Sequence, residues 1–577
     1  MAANSNRPKK AAKRGRKPLP KDELEKRKVA RRFAGSIVSS FKNAGFTYVP
    51  TRNKAITFAK QRSEIDSIFV FENVIVVAED TCIRDSDDHL RKKAEFYSSA
   101  SKAEIEFAKM LAKEFPELNE VLGKRFDFED AVVKFMYFSL HPVNEEYRDR
   151  YQHVTCVPGT GVKYFSALSK TLRKSSRFEL FKLLGVPAAK ISSAPAGHGA
   201  THDYDGFVLS GNKTGLSEFK LVSFYVDPKT LLETSYVLRK DSWEDKDSLY
   251  QRMLIRSKLA GMRRYLAEER RVYINNVIVS LDSQVAFKDH AGANIPFSQL
   301  RGAQQIKVSI PRKYNSIGLI DGQHRVFSYY EGDDEFEPAI SDLRSKQQLL
   351  VTGIVFPSAL SELERHKFEA RLFLEINDKQ SRARGDLKQA IETIVSPYTS
   401  TAIAKLVISK MSRNGALAGL LDDHFFGDGK IKTASIVSYA LKHLVAIRGG
   451  SQKTLYARWT DPKKQAVLEE TDLEAQQRYV DYCAKCLLEF FGAYKANVSK
   501  GLWTTERKVS RALTTTAING LIFALRRHIQ DSKPRGFNWY ADRLSAMPVD
   551  FTPKNFKYKS SNWKTLGDEI YESCLRP

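Results

Sequence analysis

The sequence has little cysteine and no long apolar run. Its 577 residues include only five cysteines, too few for a disulfide framework, which indicates a reducing compartment. Cys483 and Cys486 form a lone Cys-x-x-Cys pair, and no second Cys or His pair is spaced to complete a zinc site. No apolar stretch reaches the roughly 18 residues of a membrane-spanning helix, and none resembles a signal peptide. We therefore expect a cytoplasmic protein without a membrane partner.

Positive charge dominates the composition. The net charge is +25, and residues 1–32 hold thirteen Lys or Arg against three acids, a local excess of +10. Neutralising phosphates with such charges releases condensed counterions, so the excess favours DNA as a partner. Arg14 and Arg16 lie in a segment that resembles an AT-hook, although Lys17 stands where the hook has proline. A solvated basic tail is the alternative.

The chain divides into four regions by composition and pattern. Its length suggests three or four domains at about 150 residues each. We expect an α/β multidomain protein with a disordered basic arm at 1–22, an α/β module at 23–195, a second α/β domain at 200–395 and a mainly helical, basic domain at 396–577. The Ser-, Ala- and Gly-containing stretch at 192–199 is the clearest boundary.

The first α/β module alternates between helical and strand patterns. The patterns predict helices over 88–114 and 127–140, and a hairpin of strands over 67–71 and 74–78. The glycine-containing segment at 157–163 is predicted to be a loop. It lacks the GxxxxGK[ST] spacing of a P-loop.

In the second α/β domain, a predicted strand runs into a helix that carries charged residues. The apolar strand at 317–320 leads to Asp321 and Gly322, and Gln323 opens the helix. Asp321 is predicted to cap the helix as an acceptor, and Gly322 lets the backbone approach a ligand because it has no Cβ. Unpaired N–H groups at a helix N-terminus attract phosphate.

Two basic side chains follow on the first turn of this helix. Arg325 can bind phosphate oxygens through its planar fork. His324 can donate to the same anion or transfer a proton near neutral pH. Spacing alone leaves an ordinary capped helix with a surface His-Arg pair as the alternative.

The pentapeptide Asp-Gly-Gln-His-Arg at 321–325 resembles the signature of the DGQHR-domain proteins, relatives of the ParB/sulfiredoxin-like nucleotide-binding fold. The similarity extends over 205–395, and such proteins include phosphorothioation-associated regulators and members of DNA-modification and phage-defence islands. The resemblance implies ATP or another nucleotide, with His324 and Arg325 on its phosphates. It makes Asp321 and His324 the catalytic pair of this site, with Asp321 placing a metal ion or water. It also implies a pocket lined by Gly322, Gln323, Gln251, Arg252, Asn377 and Gln380.

The hairpin of the first module carries acids at both outer ends. Asp66 precedes the first strand and Glu79 ends the second, so their carboxylates should converge on one side of the sheet. Two such carboxylates suit Mg²⁺, a hard ion that prefers oxygen ligands. The ion would activate water and stabilise phosphoryl charge.

This hairpin resembles the core of restriction endonucleases, in which Asp is followed after the turn by Glu-x-Lys. The resemblance implies a Mg²⁺-dependent DNA endonuclease with Asp66 and Glu79 as metal ligands and catalytic residues. The chain departs from the pattern at Thr81, which stands at the lysine position. Without that cation the transition state is less stabilised, and Lys92 or Lys93 on the following helix is expected to replace it and to contact DNA. An inactive DNA-binding relative, or a hairpin with charged, solvated ends, is the alternative.

Together the two sites predict a DNA-associated, nucleotide-binding protein of a DNA-modification or phage-defence system. In its catalytic form it would be an ATP-dependent DNA-nicking enzyme, with DNA, nucleotide and the proteins of such an operon as partners. The alternative is a non-catalytic DNA-binding regulator whose DGQHR site senses nucleotide. A small-molecule kinase is a third reading, against which the long basic flanks argue.

Overall fold

The protein is an α/β multidomain chain with two large mixed β-sheets, seen here in a computed structural model. The structure describes residues 20–51, 54–122, 126–187, 190–191, 201–209, 219–237, 254–281, 284–314, 316–357, 360–380, 385–422, 431–448 and 453–576. Residues 1–19 of the predicted arm and the predicted boundary at 192–199 lie outside this set. The first helix begins at Lys21, within the range predicted for the arm.

The first module is built on a five-stranded mixed sheet. The strands of the module are β1 Thr47–Pro50, β2 Ala55–Phe58, β3 Gln61–Glu64, β4 Ser67–Phe71, β5 Val74–Thr81, β6 Val132–Ser139 and β7 Val154–Pro158. Of these, β2 and β3 pair only with each other in a separate two-stranded sheet. The sheet order is β1-β4-β5-β6-β7, antiparallel from β1 to β5 and parallel from β5 to β7.

Helices cover both faces of this sheet. They are α1 Lys21–Asn43, α2 Asp87–Ser101, α3 Glu104–Glu114, α4 Pro116–Leu122, α5 Glu145–Arg150, α6 Gly159–Leu172 and α7 Arg177–Leu183. Phe33, Ile37 and Phe41 recur at helical spacing along α1, which therefore buries one apolar stripe. Phe41 stacks on Phe69 of β4 with ring centroids 4.0 Å apart. The opposite face packs against α2 and α3.

Two predictions for this module are wrong. The helix predicted over 127–140 is the strand β6, which lies between β5 and β7 and is buried on both faces. A strand buried on both faces is apolar at nearly every position, so its pattern resembles that of a buried helix. The loop predicted over 157–163 is the end of β7 followed directly by α6.

The second α/β domain has an eight-stranded mixed sheet. Its strands are β8 Thr201–Leu209, β9 Lys220–Val226, β10 Ser235–Tyr236, β11 Val277–Leu281, β12 Ala286–Lys288, β13 Gln304–Pro311, β14 Ile317–Asp321 and β15 Leu349–Val355. They lie in the order β10-β14-β11-β15-β9-β8-β13-β12. Its helices are α8 Pro228–Thr234, α9 Arg256–Glu269, α10 Gln323–Phe327, α11 Glu337–Lys346, α12 Glu362–Gln380 and α13 Gly385–Val395.

The first module and the second domain share one hydrophobic core rather than meeting at a polar boundary. Buried residues of both belong to a single cluster, including Phe165 of α6 and Val326 of α10. Phe181 of α7 stacks on Tyr314 with centroids 5.8 Å apart. The two regions are therefore held together by apolar burial as well as by charge pairs.

The C-terminal region is mainly helical, as predicted, and has its own core. Its elements are α14 Ser400–Arg413, β16 Leu421–Asp422, β17 Ile431–Lys432, α15 Thr433–Ile436, a π-turn Val437–Leu441, α16 Lys442–Leu444, α17 Leu455–Arg458, α18 Lys464–Leu468, α19 Leu473–Asn497, α20 Thr515–Asp531, α21 Phe537–Leu544, α22 Trp563–Ile570 and a second π-turn Tyr571–Leu575. Cys483 is buried in α19 and Cys486 half-buried beside it, as residues of a helix core. No helix in the described ranges is long and apolar enough to cross a membrane.

Candidate functional site

Acidic residues of two neighbouring strands meet at one edge of the first sheet. β4 and β5 pair with Ser67 opposite Ala78, so Asp66 and Glu79 are the next pair along the ladder. Residues opposite each other in an antiparallel pair point to the same face, which here is the face covered by α2. The backbone N–H of Asp80 donates to Asp66 Oδ2 over 2.9 Å. The two carboxylates that the sequence suggested as a pair thus lie together.

A lysine from α2 reaches the same carboxylate. Lys93 Nζ lies 2.7 Å from Glu79 Oε2, and it also donates to the carbonyl oxygen of Glu64. The Lys93 side chain is only 13% exposed, whereas Lys92 is exposed. Thr81 is buried and its hydroxyl accepts the N–H of Ile83 over 3.2 Å. Of the two lysines considered from the sequence, Lys93 therefore belongs to the cluster and Lys92 does not.

The environment of Glu79 is dry and crowded with charge. Its side chain is 1% exposed, and burial raises its pKa to about 8 against the attraction of Lys93, while the charge of Asp66 adds to the rise. Burial and Asp66 also raise the pKa of Asp80 to about 6. The ionised forms of Glu79 and Asp80 are thus disfavoured here, and a bound cation would stabilise them.

Two residues of this edge were missed in the sequence. His89 and Tyr97 lie one turn before and one turn after Lys93 on the same face of α2. The Tyr97 hydroxyl donates to Glu79 Oε1, and His89 Nδ1 lies 2.8 Å from the hydroxyl of Tyr137 on β6. Burial and then the charge of Lys93 lower the pKa of His89. The sequence feature that could have identified them is their spacing of four residues from Lys93 on the helix that follows the acidic strand.

Asp66 and Glu79 are the residues of this edge that would hold a divalent cation. Asp66 and Glu79 offer carboxylate oxygens on one face, which are the ligands that Mg²⁺ prefers. No group of three or more His, Cys, Asp or Glu that could hold a metal ion occurs among the described residues. Mg²⁺ usually binds through one or two carboxylates and keeps several waters, so two protein ligands suffice. We call Asp66, Glu79, Lys93, His89 and Tyr97 the sheet-edge cluster.

The DGQHR turn, residues 321–325, lies at the end of β14. The pairing of β14 with β11 skips one residue there, a β-bulge that directs Asp321 towards Ile278. Gly322 has φ of 95°, and a Cβ at this position would lie 3.0 Å from Arg325 Nη2. Glycine is therefore required by both the backbone and the close approach of the arginine.

Arg325 is bonded within the turn itself. Its Nη2 donates to the carbonyl oxygen of Asn276 over 2.7 Å and to Asp321 Oδ2 over 2.9 Å. The prediction that Asp321 caps the helix is wrong, because Gly322 is the capping position and the Asp321 carboxylate pairs with Arg325 instead. The helix α10 has five residues, so its N-terminus adds little to anion binding.

Three buried polar atoms around Arg325 have no hydrogen-bond partner among the described residues. They are Gln323 Oε1, Asn276 Oδ1 and Arg325 Nε. A buried polar group without a partner costs about 1–3 kcal/mol, so such atoms mark a place for a ligand or an ordered water. Two of the three are acceptors, which suits a sugar hydroxyl or a base amino group better than a phosphate oxygen.

The remaining residues of the predicted nucleotide site are only partly described. His324 is half-buried, and its Nε2 accepts the N–H of Ile255 over 3.4 Å. Asn377 and Gln380 lie on α12, but their side chains lie outside the described set. The pocket residues Gln251 and Arg252, and the basic-arm residues Arg14 and Arg16, also lie outside it.

The loop after the DGQHR turn is held by the first module. Arg177 of α7 binds Glu331 with both Nη atoms, over 3.0 and 2.8 Å. Arg173 binds Asp333 through its Nε over 2.8 Å. The turn, the loop at 331–334 and the first module are thus joined through hydrogen-bonded charges.

A fully buried arginine fixes the other side of this loop. Arg263 of α9 is 0% exposed and binds both oxygens of Asp334, one oxygen of Glu337 and the carbonyls of Ser328 and Tyr330. A buried charge with this many partners is a strong local constraint, because a lost partner leaves it uncompensated.

Comparisons of the chain with protein-family models, with curated proteins and with solved structures find no match.

Proposed function

We propose that the first module is a Mg²⁺-dependent DNA-nicking enzyme that a nucleotide at the DGQHR turn licenses. One observation carries the proposal: a buried lysine, Lys93, pairs with Glu79 next to Asp66 at the end of a hairpin. Two carboxylates and one cation on a dry sheet edge are the groups that phosphodiester hydrolysis needs. The net charge of +25 supports DNA as the substrate.

Lys93 supplies the cation that Thr81 does not. It comes from α2 rather than from the strand, yet its ammonium lies within ion-pair distance of the strand carboxylate. Because Lys93 is largely shielded from water, its positive charge acts more strongly on a nearby charged oxygen. Lys93 would therefore stabilise the charge that develops on an attacked phosphate.

The other residues of the cluster hold the two carboxylates in place. Asp66 and Glu79 would hold Mg²⁺, which when bound lowers the pKa of water and neutralises phosphoryl charge. Tyr97 orients Glu79 by donating to Oε1, and the Asp80 N–H orients Asp66. His89 lies near Lys93 with a lowered pKa, so its neutral form is available to accept a proton.

The DGQHR turn supports the nucleotide part of the proposal through its unpartnered acceptors. Gln323 and Asn276 each present a buried oxygen without a partner among the described residues. Arg325 could bind a phosphate with its full fork only after releasing Asp321. Arg325 lies on the short helix before the loop that Arg177 of the first module binds, so a nucleotide that displaced Asp321 would act close to this link between the two regions.

A DNA-binding regulator is the second candidate, and one observation favours it. Glu79 accepts a hydrogen bond from the Tyr97 hydroxyl, and burial raises its pKa to about 8, which favours its neutral form at pH 7 when no cation is bound. If no cation binds there, the cluster is a structural remnant.

The test is the nicking of supercoiled plasmid by the full-length protein in Mg²⁺, with and without ATP. We expect Asp66→Asn to abolish nicking and Lys93→Met to slow it by about 10²–10³-fold, as for the loss of one charge-stabilising donor. Lys92→Met removes the same charge from an exposed neighbour and should leave the rate unchanged. His324→Ala should remove the ATP dependence.

Each outcome decides between the candidates. Wild-type protein that binds the plasmid but never nicks it, at any Mg²⁺ concentration, would favour the regulator. Equal rates for Lys93→Met and Lys92→Met would contradict the role of Lys93 even if nicking occurs.

A further inference from the structure

Two adjacent arginines in the C-terminal region have opposite environments. Arg527 on α20 pairs with Asp568 and, over 3.3 Å, with Glu572, and its guanidinium lies 4.5 Å from the ring centre of Tyr571. Arg526 has no ion pair or hydrogen bond within the described part of the chain, and its Nε is buried without a partner. A desolvated cation without a partner is costly, so such a group usually has a ligand.

Two other segments place basic side chains near Arg526. His443 has its pKa lowered by burial and then by the charges of Arg526, Lys442 and Lys564. These side chains come from three different segments: α16, α20 and α22. We call Arg526, His443, Lys442 and Lys564 the Arg526 cluster. The charges that lower the pKa of His443 are all positive.

The packing of the helices explains how the cluster is assembled. A Cβ on Gly567 of α22 would lie 2.5 Å from the carbonyl oxygen of Gly520 on α20, so the two helices touch backbone to backbone. This contact sets the first turn of α22, with Lys564, beside α20. On the other side, the π-turn Val437–Leu441 comes directly before Lys442 and His443. Such single π-turns are frequent at functional sites.

We propose that the Arg526 cluster is a phosphate-binding site, separate from both sites described above. A guanidinium offers a planar fork of donors, and the two ammonium groups add charge from either side, an arrangement that matches the tetrahedral oxygens of a phosphate. Arg526 is half-buried whereas Lys564 is exposed, so the guanidinium is less accessible to solvent than the ammonium group of Lys564. A phosphodiester of DNA and the phosphate of a small molecule share this chemistry.

The first measurement is calorimetric binding of inorganic pyrophosphate to the full-length protein at constant ionic strength. Arg526→Met should weaken binding by about tenfold or more, as for the loss of a charged hydrogen bond. Arg527→Met removes the same charge one residue away and should leave the affinity near that of wild type. Without pyrophosphate, Arg526→Met should melt no lower than wild type, since it removes an unpaired buried charge, whereas Arg527→Met should melt lower.

A second measurement separates the two phosphate sources. If DNA is the source, Arg526→Met weakens binding of a short duplex and reduces the slope of log affinity against log salt by about one, and pyrophosphate competes with the duplex. If a small molecule is the source, only the pyrophosphate affinity falls. Both results support a phosphate site.

The proposal is overturned if the Arg526→Met variant binds pyrophosphate and DNA with the same affinities as the Arg527→Met variant. Should Arg526→Met fail to fold, the double variant Lys442→Gln/Lys564→Gln tests the same site from its rim. We expect it to lose pyrophosphate affinity relative to a control that removes two exposed lysines of the first module, Lys54 and Lys60. Equal affinities in that pair would also overturn the proposal.

Discussion

The sheet-edge cluster and the DGQHR turn both carry Asp, His and a basic residue, but they use their charges differently. At the sheet edge, Lys93 and two carboxylates are crowded into a dry place, and the pKa of Glu79 rises to about 8. At the turn, the Asp321 carboxylate and Arg325 neutralise each other, and Arg325 also binds a backbone carbonyl. The buried charges at the sheet edge raise the free energy of the folded protein while no cation is bound. The paired charges at the DGQHR turn stabilise the fold.

This contrast has a consequence for mutations. Removing a charge that holds the fold should cost stability, even when no ligand is present. Removing a charge that awaits a ligand should cost activity but little stability. Measurements of stability without ligand therefore separate the two kinds of site without any knowledge of the substrate.

The largest loss of stability is expected behind the DGQHR turn. Arg263→Met should lower the free energy of unfolding by about 3–5 kcal/mol, because it leaves partly buried Asp334 without its cation and removes one of the two arginines that bind Glu337. Arg270→Met, at the end of the same helix, removes an exposed pair with Asp342 and should cost at most about 1 kcal/mol. Urea denaturation of both variants measures the difference. Similar losses in the two would mean that the Arg263 network does not hold the turn.

A smaller loss is expected at the turn itself. Arg325→Met removes the bonds to Asp321 and to the Asn276 carbonyl, which should cost about 1–3 kcal/mol without nucleotide. The exposed Arg312 serves as a control, since Arg312→Met should stay within about 0.5 kcal/mol of wild type. Thermal melting with and without ATP also reports on binding, because a ligand of the folded state raises the melting temperature. Full stability in Arg325→Met would show that the internal bonds are not important for the fold.

The sheet-edge cluster should show the opposite sign. The pKa of Glu79 rises from 4.5 to about 8 on folding, so the folded state binds the proton more tightly and stability falls as pH rises from about 4.5 through 8. One such group changes stability by at most about 1.4 kcal/mol per pH unit. The Glu79→Gln variant has no carboxyl group at this position that could ionise beside Asp66 and Lys93. In EDTA we therefore expect it to become more stable than the wild-type protein as the pH rises. Parallel pH profiles for the two proteins would contradict the raised pKa.

The sequence predicted well those features of the candidate sites that depend on the spacing of residues within one strand, hairpin or turn. The hairpin at 67–78 and the converging pair Asp66 and Glu79 follow from two short apolar, β-branched runs and from the turn at Glu72, which has φ of 53°. The strand that enters the DGQHR turn was also placed correctly. These features depend on neighbours within about ten residues, which local patterns record well.

It was less informative where tertiary packing decides. Whether Lys92 or Lys93 enters the site depends on the rotation of α2 over the sheet, which the sequence alone left open. The partner of Asp321 depends on the bulge in β14, which bends the strand so that Arg325 replaces the helix cap. The strand at 132–139 reads as a helix because both of its faces are buried. Each of these outcomes is set by residues distant in the chain.

The smallest effect concerns the link between the two regions. Arg177 forms two hydrogen bonds with Glu331, and its guanidinium lies 4.6 Å from the ring centre of Phe178. A double-mutant cycle between Arg177→Met and Glu331→Gln should therefore give a coupling free energy of about 1 kcal/mol. The exposed pair Arg27 and Glu23 on α1 should give no more than about 0.5 kcal/mol. If nucleotide licenses nicking through this link, Arg177→Met should also reduce the ATP dependence of nicking while leaving basal nicking intact. A coupling near zero, with full ATP dependence, would mean that the sheet-edge cluster and the DGQHR turn work independently.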